Sequence, residues 1–102
     1  MQIQTILHDD RARLALSGSF DFNAHKDFRR ACDAVLQTPS VRTLELDLAR
    51  VDYIDSSALG MLLILRDRAQ EHGRQVILSG AGGTVRQVLE IANFGKLFTL
   101  QD

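Results

Sequence analysis

The sequence predicts one α/β domain over residues 1–102, a mixed and mostly parallel sheet with helices mainly on one face, in the order β-β-α-β-α-β-α-β. Three observations predict it. Beyond residue 20, stretches with helical and strand-like spacing take turns, and short connections between such elements imply right-handed crossovers between parallel strands. Two short alternating runs at the start read as a hairpin, which adds an antiparallel edge. Residues 41–48 alternate apolar and charged side chains instead of running continuously apolar, so helices should cover only one face of this strand.

Each element has its own warrant. Ile3, Thr5 and Leu7 alternate with polar positions, Asp9-Asp10 interrupts, and Leu14 and Leu16 resume the alternation up to Gly18. Asn23 is a candidate N-cap for a helix over residues 24–37, where Ala24, Phe28, Ala31, Cys32, Val35 and Leu36 share one face and Pro39 follows. Cys32 lies on that face, as a small buried hydrophobe would. In the strand 41–48, Leu44, Leu46 and Leu48 point one way and Glu45 and Asp47 the other. Residues 52–57 read as a loop, and a helix follows over 57–72, closed by Gly73. Gln75–Ser79 is a short buried strand around Val76-Ile77-Leu78. Gly80 to Gly83 is a turn, and Thr84 is placed to cap a third helix with Val85, Val88, Leu89 and Ala92 on its apolar face and Gly95 at its end. Residues 97–100 read as a last strand.

Composition narrows the function. Twelve basic residues stand against 13 acidic, for a net charge of −1, so no overall basic field favours nucleic acid. One cysteine allows no internal disulfide and suits a reducing compartment. No signal peptide is visible at Met1–Thr5. The longest apolar run, residues 58–65, falls well short of the ~20 residues a spanning helix needs, so no membrane insertion is expected. The cytoplasm is the expected location. His8, His25 and His72 are scattered without partners at ligand spacing, and no cofactor or metal motif is present. Gly80-Ala81-Gly82-Gly83 lacks the pattern of a dinucleotide loop and the Lys of a P-loop. Ser56 and Ser57 are not framed as Gly-x-Ser-x-Gly. Nothing requires catalysis, and a non-enzyme is expected.

The segment Asp55-Ser56-Ser57 at a helix mouth supports two readings. Small polar residues there satisfy free backbone N–H groups, each worth roughly 1 kcal/mol. Alternatively, a phosphoryl group on Ser56 would meet the positive end of the helix dipole, leaving the fold intact and adding a charge of about −1.5 to −2 beside Asp55 and Asp52. The helix behind is apolar almost all round. Leu59, Leu62, Leu65 and Ala69 can face the sheet, with Leu63 at the margin, which leaves Met61, Ile64 and Arg68 outward. Those outward residues are either covered by neighbouring helices or form a partner surface.

Ile54-Asp55-Ser56-Ser57-Ala58-Leu59-Gly60 resembles the Asp-Ser-Ser/Thr-Gly/Ala-Leu-Gly signature of STAS domains, in particular bacterial anti-sigma-factor antagonists of the partner-switching type. The likeness extends to Leu16-Ser17-Gly18-Ser19-Phe20-Asp21, to residues 41–48 and to residues 85–98. It implies that Ser56 is phosphorylated by a partner serine kinase, often the anti-sigma factor itself, and dephosphorylated by a PP2C-type phosphatase. The unphosphorylated form would sequester the anti-sigma factor. Carried over by position, Asp21 and Asp55 are polar neighbours at the partner surface and Ser57 is a helix-start residue beside them; the outward Met61 and Ile64, placed by helical spacing, would extend that surface. Ala58 stands where the family often has Gly, and Phe20 where it has Leu; neither removes the acceptor. The alternative implied by the same resemblance is a non-switching STAS subunit of an ABC-type lipid transport complex. A further alternative is nucleotide binding at the Ser56 edge.

Overall fold

A computed structural model describes all residues, 1–102, as a five-stranded sheet in the order β1-β2-β3-β4-β5. The strands are β1 (Gln2–His8), β2 (Arg11–Phe20), β3 (Thr43–Ile54), β4 (Gln75–Ser79) and β5 (Thr99–Gln101); the helices are α1 (His25–Leu36), α2 (Ser56–Glu71) and α3 (Gly83–Ile91). β1 and β2 form the antiparallel hairpin, with His8 paired to Arg11 across a turn in which Asp9 takes a positive φ of 54°. The β2–β3, β3–β4 and β4–β5 pairs are all parallel.

Strand order explains the layering. From β2 to β5 each crossover moves one strand in the same direction, and right-handed crossovers then place every helix on the same face. That face carries Ala12, Leu14 and Leu16 of β2, Leu44, Leu46 and Leu48 of β3, and Val76 and Leu78 of β4. They join Phe28, Cys32, Val35, Leu62, Leu65, Val85 and Leu89 from the helices in one core. The opposite face is largely polar, with Ile77 buried and Ile6 partly exposed among its charged side chains. Arg13 pairs with Asp47 and, at 3.9 Å, with Glu45, while Ser79 donates to Glu45 at 2.7 Å. The one-sided cover expected from the alternation of residues 41–48 is present.

Boundaries differ from expectation where the chain departs from simple periodicity. β3 runs to Ile54, so the expected loop over residues 52–57 shrinks to Asp55. The β2–β3 register shifts between Ala15 and Ser17 and again between Gly18 and Ser19. These bulges change the burial spacing of β3 from two to three, at Leu48, Val51 and Ile54, and a period-2 reading ends the strand too early. Asn23 does not cap α1. Asp21 instead caps a one-turn 3-10 segment, Phe22–Ala24, accepting from the Asn23 N–H at 3.0 Å, and α1 begins at His25. Thr84 does not cap α3, which starts from Gly82 with Gly83 at φ 53° and no side-chain cap. Gly95 does not end it either: α3 stops at Ile91, Asn93 turns left-handed, and Gly95 lies in a separate short turn, Phe94–Lys96. Gly73 does close α2, at φ 67°, with the Arg74 N–H bonded to the Ala69 carbonyl at 2.8 Å.

Candidate functional site

Phe20 and Ile54 pair as the last residues of adjacent parallel strands, so Asp21 and Asp55 leave the sheet side by side. The ends of parallel strands that feed helices are where open α/β sheets present their sites. Each aspartate does local work. Asp21 holds the short turn after β2, and Asp55 is the N-cap of α2, its Oδ1 accepting from the Ala58 N–H at 2.9 Å. The Asp55 N–H in turn reaches the Phe20 carbonyl at 3.3 Å and ties the two strand ends together.

Asp55 therefore takes the role that small polar residues at a helix mouth would otherwise share. Ser56 follows it as the first residue of α2, exposed, and its hydroxyl makes no hydrogen bond within the chain. Ser57 is half-buried behind it and equally free of side-chain hydrogen bonds. The N–H groups of Ser56 and Ser57 precede the first intrahelical bond and remain open donors. The Ser56 oxygen thus sits at the positive end of a 16-residue helix, beside two carboxylates that are already committed.

Two large apolar side chains flank this strand end in the open, Phe22 at 67% exposure and Tyr53 at 54%, and Ile64 stands exposed at 60% just over two turns further along α2. Phe22 stacks on His25, the first residue of α1, with ring centroids 5.5 Å apart. Between α1 and α2 lies a shallow groove of about 180 Å³. His25, Phe28, Arg29 and Cys32 form one wall, and Met61, Ile64, Leu65 and Arg68 form the other. An ion pair between Arg68 and Asp33 crosses its far end. Burial pushes the Cys32 thiol up to about 12, with Asp33 adding to the shift, so Cys32 acts as apolar wall rather than as a nucleophile.

A family model described as Mlab, STAS domain matches residues 3–101. The chain belongs to the STAS domain family. A STAS-domain containing protein of Pseudomonas aeruginosa strain UCBPP-PA14 is 46% identical over 87 residues, 85% of this chain and 84% of the relative. Among solved structures, the phosphorylated form of the Bacillus cell fate determinant SpoIIAA superposes with a TM-score of 0.74 at 20% identity, covering 97% of this chain and 90% of that one. An anti-sigma factor antagonist from Mycobacterium paratuberculosis gives 0.81 at 24% identity, over 98% and 84%. The STAS domain of a SulP transporter from Vibrio cholerae gives 0.76 at 27% identity, over 95% and 77%. At identities below 25% the two antagonists share the fold of this chain, and the sheet and helices described above are that fold.

Within this STAS domain, Asp21, Asp55, Ser56 and Ser57 fall together at one strand end, while Met61 and Ile64 line the groove that starts there. Of the outward positions expected on α2, Ile64 is exposed, and Met61 and Arg68 are half-covered by α1. Sequence reasoning missed the α1 wall, Phe28, Arg29 and Cys32, and gave no place to Tyr53. The α1 residues were legible as a core face, but nothing in one sequence says which helix lies beside which. Tyr53 was hidden by the early end assigned to its strand.

Proposed function

We propose that this STAS domain is an anti-sigma factor antagonist whose protein binding is switched by phosphorylation of Ser56. The observation that carries the reading is the division of labour at the start of α2: Asp55 caps the helix, and Ser56 is exposed with no structural task. A partner kinase would transfer the γ-phosphoryl group of ATP to the Ser56 oxygen. The Oγ–P bond forms, the bond to ADP breaks, and the hydroxyl proton passes to a base of the kinase. The domain is substrate and ligand in this step, not a catalyst. The Ser56 and Ser57 N–H groups and the helix dipole offset part of the added charge. The remainder stands beside Asp21 and Asp55 and makes the strand end strongly anionic. A partner seated over Ser56, Phe22, Tyr53 and Ile64 is then expelled by desolvation cost and like-charge repulsion. A PP2C-type phosphatase would restore the binding form. That SpoIIAA, on the same fold, exists in a phosphorylated form supports the reading.

The test is to incubate the domain with its cognate serine kinase and ATP and map the product by mass spectrometry. Phosphate is expected on Ser56, absent from the Ser56→Ala variant. Ser56→Ala should bind the kinase partner constitutively, and Ser56→Glu should lose at least tenfold in affinity. Label confined to Ser57 or Thr84 would sink the assignment, as would two variants that bind like the wild type.

A second reading is a non-switching subunit of a transport complex, and the SulP transporter match supports it to the extent that a transport protein carries a STAS domain. In that reading the domain braces the ATPase of an ABC-type lipid transporter without modification. Ser56→Glu would then leave the complex intact, and co-purification would recover an ABC ATPase rather than a serine kinase.

A further inference from the structure

β1 is an edge strand with none of the usual protections. Natural sheets blunt a free edge with charge, proline, bulges, short length or a cover. The other edge of this sheet follows that rule. β5 is only three residues long, and the Arg86–Asp102 ion pair closes the chain beyond it. β1 is seven residues long, Gln2-Ile3-Gln4-Thr5-Ile6-Leu7-His8, with no charged residue before His8, no proline, no glycine and a regular register to β2. Leu7 is 59% and Ile6 41% exposed.

We infer that β1 pairs antiparallel with β1 of a second copy, joining two five-stranded sheets into one of ten strands about a two-fold axis at Thr5. The strand is self-complementary in that register. With Thr5, the middle residue, opposite its own counterpart, Ile3 meets Leu7 and Gln4 meets Ile6. Ile3, Thr5 and Leu7 pair across the hairpin with Leu16, Leu14 and Ala12, so they stand on the helix-covered face. Each copy's exposed Leu7 would gain the partner's Ile3 as its cross-strand neighbour.

A separate observation on α1 fits the same axis. Asp27 and Arg30 flank a hollow over β1 that they line with Met1, Ile3, Thr5 and Ala31. Neither takes part in any ion pair of the chain. A two-fold perpendicular to the sheet brings the two α1 helices side by side and antiparallel, so each Asp27 faces the other copy's Arg30. An isologous contact satisfies both charges twice. The net charge of −1 raises no long-range repulsion between copies. The groove between α1 and α2 opens on the other flank of α1, so pairing leaves it and Ser56 free, and the inference stands apart from the proposed switch.

Sedimentation of the full chain over about 1 µM to 1 mM tests it. A reversible shift from monomer to dimer is expected, with β1 amides gaining hydrogen-exchange protection as concentration rises. Thr5→Lys places two lysines on the axis and should hold the chain monomeric with unchanged thermal unfolding. Arg30→Asp should weaken the dimer about tenfold, and adding Asp27→Arg should restore it. A wild-type monomer at the highest concentration overturns the proposal and leaves the edge to a strand of a different protein. A dimer indifferent to Thr5→Lys, or one that the double charge swap does not rescue, overturns it as well.

Discussion

At the scale of single residues, Asp55 and Ser56 are neighbours with opposite duties. The Asp55 carboxylate holds the Ala58 N–H, and removing it should lower stability by about 1 kcal/mol in urea unfolding, the usual loss for an N-cap. Ser56→Ala should change stability by less than about 0.5 kcal/mol, because an exposed hydroxyl without a partner holds nothing. The reverse order of these two losses would make Ser56 the structural residue and weaken its claim to be the acceptor. This distinction was not legible in the sequence. Asp and Ser are nearly equal as caps, and which oxygen meets which N–H depends on where the helix begins. The expected start near Ser57 was one residue late, and that single residue decides which side chain caps.

At the scale of elements, α2 reads as apolar almost all round because two different surfaces use it. Ala58, Leu62, Leu65 and Ala69 enter the core, while Met61 and Ile64 border the groove shared with α1. The two sets should separate experimentally. Leu62→Ala opens a cavity and should cost about 2–5 kcal/mol of stability. Ile64→Asp should leave stability nearly unchanged and weaken binding of the kinase partner at least tenfold in calorimetry. If Ile64→Asp bound at full strength, the groove would not be part of the partner surface. The helical face of α1 was legible from spacing alone, as were Leu62, Leu65 and Ala69 of α2, whereas Ala58 enters the core in place of Leu59, which is half-buried. The pairing of α1 with α2 was not, since it depends on strand order.

At the scale of the whole molecule, one largely polar sheet face opposes a single apolar core. On that open face, burial raises the Asp47 carboxyl, but the Ala49 N–H and the Arg13 guanidinium outweigh it and hold the group below the ordinary carboxylate range. A carboxyl depressed by folding contributes stability above its unfolded pKa and loses it as pH falls through the folded value. Stability should therefore decline on acidification below about pH 4. Asp47→Asn should flatten that acid limb in urea midpoints measured across pH. An acid limb unchanged by the substitution would assign the decline to other carboxylates.

The sequence by itself determined the element order, the one-sided burial of the sheet and the placement of a polar triplet at a helix mouth. These follow from local periodicity and capping chemistry, which each segment carries within itself. Tertiary structure decided the length of β3, because bulges against β2 changed its burial period from two to three. It also decided that Asp55 caps and Ser56 is free, and that α1 supplies one wall of the groove. Those outcomes depend on which elements lie side by side, and side-by-side packing is set by the sheet as a whole rather than by any segment of the chain.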